Sequence, residues 1–244
     1  MLYLIGIGLD KQDISLKGLE IAKKCDKLYL DIYTSSLPYN AKEIEEMTGQ
    51  EIFPAGRALL ENKADDIIKE AKTAEIGILV SGDPLSATTH IDLILRARKA
   101  KVKFEIVHAA SIITAVAETG LQLYKFGKIA SIPKFQPNYQ PESWYELMKQ
   151  NLLYEAHTLL LLDMELDAEE ALNYVYDISK TREDKIMDRE IVICSCLGTS
   201  KSRIKVGKIK ELAKQKLQEF KMPVCLALPA KLHFMEEEAL KKFR

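Results

Sequence analysis

Neither sign of charge prevails in this 244-residue chain: 35 Lys and Arg stand against 36 Asp and Glu, a formal net charge of -1. No molecule-wide field therefore draws it to nucleic acid or to an anionic membrane, and direct nucleic acid binding is not expected. Long apolar runs are also missing. The stretch Met1–Leu9 has no basic residue before it and meets Asp10 well short of the ~18 apolar residues of a membrane span, so it reads as a strand and not as a signal. Ile76–Val80 and Leu159–Leu162 are of strand length. A cytoplasmic protein without a membrane segment is expected. The four cysteines, Cys25, Cys194, Cys196 and Cys225, form no CxxC pair, which argues against a disulfide framework, a zinc site or a thioredoxin-like motif and predicts reduced, buried thiols and no metal. There is no Ser-His-Asp order, no HExxH helix and no Gly-Lys-Ser/Thr loop to support hydrolysis or nucleotide cleavage. Polar low-complexity tracts are absent too, and a composition of 47% hydrophobic and 29% charged residues excludes disorder and fibres.

What is present is a regular alternation of short β-type runs with longer helical segments, the pattern of an α/β protein with largely parallel strands and crossover helices. Strands are predicted at Leu2–Ile7, Lys27–Tyr33, Ile76–Ser81, Phe104–Val107, Lys128–Ile132, Thr158–Leu162, Ile191–Cys196 and Val224–Leu228. Helices are predicted between them, among them Ser15–Cys25, Arg57–Ala71, Thr88–Ala100, Asp167–Ile178 and Lys208–Phe220. The length allows two modest domains, and the restart of strands and helices after about five βα steps puts a boundary near Ile112, giving residues 1–112 and 113–244. Lys134–Pro141 breaks the rhythm with Pro, Gln, Asn and Tyr and reads as a surface loop. Charge is uneven along the second half: Leu161–Glu190 carries ten acidic against four basic residues, and Thr199–Lys221 eight basic against two acidic. Such runs are usually solvated helix faces, with docking of a macromolecular partner as the alternative.

Three strand ends carry residues suited to a site. Ile5-Gly6-Ile7-Gly8-Leu9 follows the first strand and lets a ligand approach the backbone, but Lys11 stands where a dinucleotide fingerprint needs a third glycine. Val80-Ser81-Gly82-Asp83-Pro84-Leu85-Ser86-Ala87-Thr88-Thr89-His90 ends a strand in Gly-Asp-Pro and enters a helix, presenting backbone groups, a carboxylate and hydroxyls where ligands of open α/β sheets bind. Ile106-Val107-His108-Ala109-Ala110-Ser111-Ile112 ends another in small residues that leave room. A single histidine without a paired nucleophile or carboxylate is more often structural, and His108 is read so from sequence.

Together with Lys17-Gly18-Leu19-Glu20, Tyr33-Thr34-Ser35, Tyr124-Lys125-Phe126-Gly127, His157-Thr158-Leu159-Leu160 and Lys231-Leu232-His233, these motifs resemble, in the same order and over nearly the whole chain, the diphthine synthases of the tetrapyrrole methylase superfamily. The departures are Ser81 where Pro often precedes Gly-Asp-Pro, Ala230 where Gly is frequent, and a segment from Ile132 to Gln140 without a clear counterpart. The resemblance implies two α/β domains of the tetrapyrrole methylase type, with an S-adenosyl-L-methionine cleft between them, in a homodimer. It implies successive methylation of the amino group of a modified histidine on translation elongation factor 2, with S-adenosyl-L-homocysteine as product. The positions matching the family's cofactor contacts are Leu9, Asp83, Ser86, Ser111, Ile112, Leu162, Leu197 and Val224. No catalytic side chain is singled out, because the cofactor carries the difficult chemistry; the attacking amine must be neutral, and its own deprotonation, rather than an obligatory enzyme base, is expected to set the pH dependence. The alternatives are a porphyrinoid C-methyltransferase of the same superfamily and a non-catalytic binding module on that fold.

Overall fold

An unbroken apolar strand runs through the middle of each of the two units, Met1–Ile112 and Ile113–Arg244, into which the chain divides. The structure is a computed structural model that describes residues 1–34, 36–37 and 40–244. Ser35, the last residue of the Tyr33-Thr34-Ser35 motif, lies outside the described residues.

In the first unit β1 (Leu2–Gly6), β2 (Lys27–Asp31), β3 (Ile52–Ala55), β4 (Ile76–Val80) and β5 (Phe104–Val107) form one sheet in the order β3-β2-β4-β1-β5 with every pairing parallel. All residues of β4 are buried, which requires cover on both faces. Alternate side chains supply the two cores. Leu2, Leu4, Ile76 and Ile78 pack on α3 (Ala64–Glu70) and α4 (Ile91–Lys99) through Ile67, Ile68, Leu93 and Ala97. On the other face Ile5, Leu28, Leu30 and Leu79 meet Ala22 of α1 (Leu16–Lys24) and Ile44 of α2 (Ala41–Thr48). Ser15 caps α1 by accepting the Gly18 N–H.

The sheet of the second unit contains β6 (Ala130–Ile132), β7 (Thr158–Leu162), β8 (Glu190–Ser195), β9 (Arg203–Lys208) and β10 (Val224–Leu228), in the order β6-β7-β10-β8-β9. Only β6 and β7 are parallel; the other three pairings are antiparallel. The expectation of largely parallel strands therefore fits the first unit and not the second. A short loop between β8 and β9 suffices for an antiparallel pair, whereas a parallel pair needs a crossover. Strand β9 escapes the sequence reading because Arg-Ile-Lys-Val-Gly-Lys looks like part of a basic run; lysines suit an edge strand, where they discourage further pairing. The helix predicted at Lys208–Phe220 shrinks to Ile209–Leu212, and Leu217 and Phe220, at the two ends of a turn, join Ile209 and Leu212 in the core over Leu160, Ile193 and Leu226 of this sheet. Lys134–Pro141 is a loop pinned to the helix Ala168–Thr181, with Phe135 stacked on Tyr174 at 3.9 Å between centroids and Lys134 paired with Glu170. Among the described residues no helix is long and apolar enough to cross a membrane.

A buried polar knot ties the C-terminal helix Phe234–Lys241 to this sheet. His157 and Glu236 are fully buried, 2.9 Å apart through Nε2 and Oε1, while the Ala230 N–H donates to Nδ1 of the same ring. Accepting at Nδ1 and donating at Nε2 requires the neutral imidazole. Burial holds the pKa of His157 below the ordinary 6.5. Burial alone would raise the Glu236 carboxyl, but the His233 N–H, the Lys125 ammonium, the Gln122 N–H and His157 bring it down to about 2.

Below pH 6.5 the unfolded chain takes up a proton at His157 that the native state refuses, so the stability held above that pH drains away on acidification. The Glu236 contribution, complete above 4.5, is lost as the pH falls toward about 2. We expect the melting temperature to decline in both windows, and His157→Gln, which keeps an amide donor and does not titrate, to flatten the upper limb; an unchanged upper limb would exclude His157 as its source.

Candidate active site

Strands β4, β1 and β5 are parallel neighbours, so their carboxyl ends finish side by side and bring the three sequence motifs together. Gly8 and Gly82 exchange backbone hydrogen bonds at 3.2 and 2.8 Å, both with φ in the left-handed region (74° and 73°) that glycine adopts without cost. Gly6 lies beneath this pair. A Cβ there would stand 2.8 Å from Gly82 O, 2.8 Å from Ala109 Cβ and 3.0 Å from Pro84 Cδ, so the three strand ends close up only around a residue with no side chain.

Asp83 holds the ledge in shape. Its Oδ1 accepts from the Leu85 N–H at 2.9 Å and the Ser86 hydroxyl at 3.3 Å, and its Oδ2 accepts from the Ala109 N–H at 3.3 Å and lies 2.7 Å from His108 Nδ1. Burial pulls this carboxyl upward, yet these donors outweigh it and keep the pKa below the ordinary 3.8. The carboxylate is thus engaged by four donors of its own chain, which fix the loop in shape.

His90, the last residue of the Ala-Thr-Thr-His string, supports the loop from below. Its Nδ1 is 3.0 Å from the Pro84 carbonyl, and its Nε2 is 3.1 Å from Asp31 Oδ2, an ion-pair distance without the alignment of a hydrogen bond. Asp31 is buried with His90, and it also accepts from the backbone of Tyr33 and Thr34 and from the Thr34 hydroxyl. Burial would raise the Asp31 carboxyl, but His90 and these donors bring it below its ordinary value.

Of the eight positions taken from the resemblance, five gather here. Leu9 follows the Gly8–Gly82 bridge and donates its N–H to Asp13 at 3.1 Å. Asp83 and Ser86 form the loop, Ser111 is buried beyond β5, and Ile112 opens the short helix Ile112–Ala115. The other three gather within the second unit. Val224 opens β10 opposite Ser195, and Cys225 faces Leu161, so Leu162 at the end of β7 and Leu197 just past β8 lie at the same edge of that sheet as Val224. Sequence reasoning missed the Asp83–His108 and Asp31–His90 pairs, whose members are separated by 25 and 59 positions and are brought together only by the parallel sheet. All four cysteines are buried and free.

A model of the tetrapyrrole (corrin/porphyrin) methylases matches residues 1–213, which sets the class of the protein. The chain is 41% identical to diphthine synthase of Methanococcus maripaludis strain C6 over a 252-residue alignment that covers 99% of this chain and 98% of that one. It is 46% identical over 167 residues to diphthine methyl ester synthase of Schizosaccharomyces pombe, covering 68% of this chain and 59% of its relative. A crystal structure of diphthine synthase matches with a TM-score of 0.90 at 34% identity, covering 99% of this chain and 95% of that one. The chain belongs to the diphthine synthase family of the tetrapyrrole methylases.

Two substitutions probe the ledge. Gly6→Ala forces a methyl group into backbone and is expected to cost about 1–3 kcal/mol, read as a lowered melting temperature, together with weaker S-adenosylmethionine binding; wild-type stability would show that the strand ends can spread. Asp83→Ala removes the acceptor for four donors, and we expect calorimetry to find affinity for S-adenosylmethionine reduced at least about tenfold, or ~1.4 kcal/mol. Unchanged affinity would remove Asp83 from the site.

Proposed function

We propose that this protein is a diphthine synthase: an S-adenosylmethionine-dependent methyltransferase that successively methylates the amino group of the modified histidine on translation elongation factor 2. The observation that carries this reading is the end-to-end likeness, 41% identity over 99% of the chain, rather than any single motif. The substrate histidine bears a 3-amino-3-carboxypropyl group, which supplies the nucleophile; unmodified factor lacks it and is inert. We further assign the protein to the cytoplasm and to a homodimer.

The residues at the strand ends suit a cofactor bound largely through main-chain groups. Gly82, Ala109, Ala110 and Ser111 present small side chains, and a Cβ added to Gly82 would find its nearest neighbour, Ser111 Cβ, only at 3.8 Å, so the backbone there is uncrowded. Leu9, Asp83, Ser86, Ser111 and Ile112 from the first unit and Leu162, Leu197 and Val224 from the second are the proposed binding positions. The bound cofactor supplies an electrophilic methyl group on a sulfonium. The chain's task is positioning: a rigid ledge that holds the amine nitrogen roughly 3–3.5 Å from that carbon contributes several kcal/mol toward the barrier. Every transfer also demands a neutral amine, so a proton has to leave before each attack.

Mass spectrometry of the modified elongation factor after incubation with this protein and S-adenosylmethionine tests the reading. We expect successive methyl-sized increments on the modified histidine, and an increment removed by mild alkali would mark a carboxylate ester in addition. Cofactor binding without any increment on the factor, but with ready methylation of uroporphyrinogen, would replace this reading with the porphyrinoid one.

A further inference from the structure

We propose that His108 is the catalytic proton acceptor of this methyltransferase, taking the proton from the substrate ammonium at Nε2 while Asp83 holds Nδ1. The proposal rests on the function given above, names the residue that keeps the amine reactive through successive transfers, and replaces the expectation from sequence that no enzyme base takes part, because the Asp83–His108 pair is not legible there.

The chain has four histidines, and their surroundings separate them. His90 is buried with both ring nitrogens against acceptors, and His157 is buried with one nitrogen accepting from Ala230 and the other on Glu236. His233 caps the helix Phe234–Lys241 through its side chain. His108 differs: its side chain is 67% exposed, it stands at the carboxyl end of β5 beside the proposed cofactor positions Ser111 and Ile112, and Nδ1 is 2.7 Å from a carboxylate.

That carboxylate decides the tautomer. Asp83 is ionised, held so by the Leu85 and Ala109 N–H groups and by His108 itself, and an ionised carboxylate only accepts hydrogen bonds. The hydrogen of the neutral ring therefore sits on Nδ1, and Nε2 carries the lone pair. Because three further donors fix Asp83, the ring is aimed by a rigid group rather than by a mobile one. Among the described residues of this unit Asp83 is the charged group facing the ring; Glu105, on the same strand, is engaged by Lys17 at 2.5 Å.

The steps balance. The ammonium of the modified histidine gives a proton to Nε2, producing a neutral amine and an imidazolium whose charge the Asp83 carboxylate offsets. The amine lone pair then forms the N–C bond as the C–S bond breaks, and that electron pair stays on sulfur. The product is again an ammonium, while the imidazolium releases its proton to water and is ready for the next round. Histidine suits this exchange because it gains and loses protons near neutrality.

The test uses His108→Asn, whose side-chain amide can donate to Asp83 as Nδ1 does but cannot accept a proton, alongside the wild-type protein on modified elongation factor. We expect the variant to bind S-adenosylmethionine within about twofold of wild type and to melt at the same temperature. Its methyl transfer near neutral pH should fall by about 10²-fold. The rate should recover as the pH rises above the amine's own pKa, which the carboxylate on the same carbon holds above the ~8 of a peptide α-amino group, and partly methylated species should accumulate where wild type runs to completion. Nitrogen-15 NMR of the wild-type imidazole should report the Nδ1–H tautomer. Full activity of His108→Asn at neutral pH, a loss independent of pH, or an Nε2–H tautomer would each overturn the proposal, the second by making His108 a positioning residue. Wild-type protein that transfers no methyl group to the factor would remove the functional reading and this proposal with it, an outcome distinct from an active wild type and an unaffected variant.

Discussion

The carboxylate of Asp83 is the point on which the first unit's strand ends depend. Its donors come from two separate segments, the loop after β4 and the residues just past β5, and with β1 lying between those strands the single side chain clamps the sheet edge across its middle. A hydrogen bond to an ionised group is worth about 1.5–3 kcal/mol, and an unmet buried carboxylate would cost more, so the arrangement is stable only with its full set of donors. The glycine contacts at Gly6, Gly8 and Gly82 bring the backbones close enough for that set to form. Packing and electrostatics therefore specify the same loop geometry.

Much of the first unit could be read from the chain because its signals are local. The apolar run Ile76–Val80 announces a strand, and the Gly-Asp-Pro that follows announces the turn. No element is predicted between Tyr33 and Arg57, although α2 carries a full capping box, Asn40 with Glu43, and a left-handed Gly49 at its end, a spacing that is legible in the chain. Strand β3 was harder, since Ile-Phe-Pro-Ala is short, half exposed and broken by proline, and only pairing with β2 makes it a strand. In the second unit strand direction was the missing information. Alternation of strands and helices suggests parallel order, but nothing in Arg203–Lys208 distinguishes an antiparallel edge from a solvated basic helix except its period of two.

The proposed site shows the same division. Leu9, Asp83, Ser86, Ser111 and Ile112 lie in short motifs at strand ends, so both the motifs and the topology rule for open sheets lead to them. What the sequence conceals is pairing. His108 read as a lone histidine because its carboxylate lies 25 positions away and reaches it across an intervening strand. The same holds for Asp31 and His90, where both partners look unremarkable until the sheet buries them together.

Three His–carboxylate pairs in one chain make a controlled comparison. Asp31–His90 and Glu236–His157 are buried on both sides, with each ring nitrogen facing a group of the chain itself. In such a place the ring has no remaining valence for a substrate, and its work is to hold two segments together. Asp83–His108 again sets an imidazole against a carboxylate, at 2.7 Å, but joins a buried carboxylate to a ring left in the open. Exposure on the histidine side alone converts a fastener into a group able to exchange a proton with something outside the chain, while burial on the carboxylate side preserves its aim. Each pair sets a histidine against a carboxylate; the position of the ring relative to the sheet edge is what separates structure from chemistry.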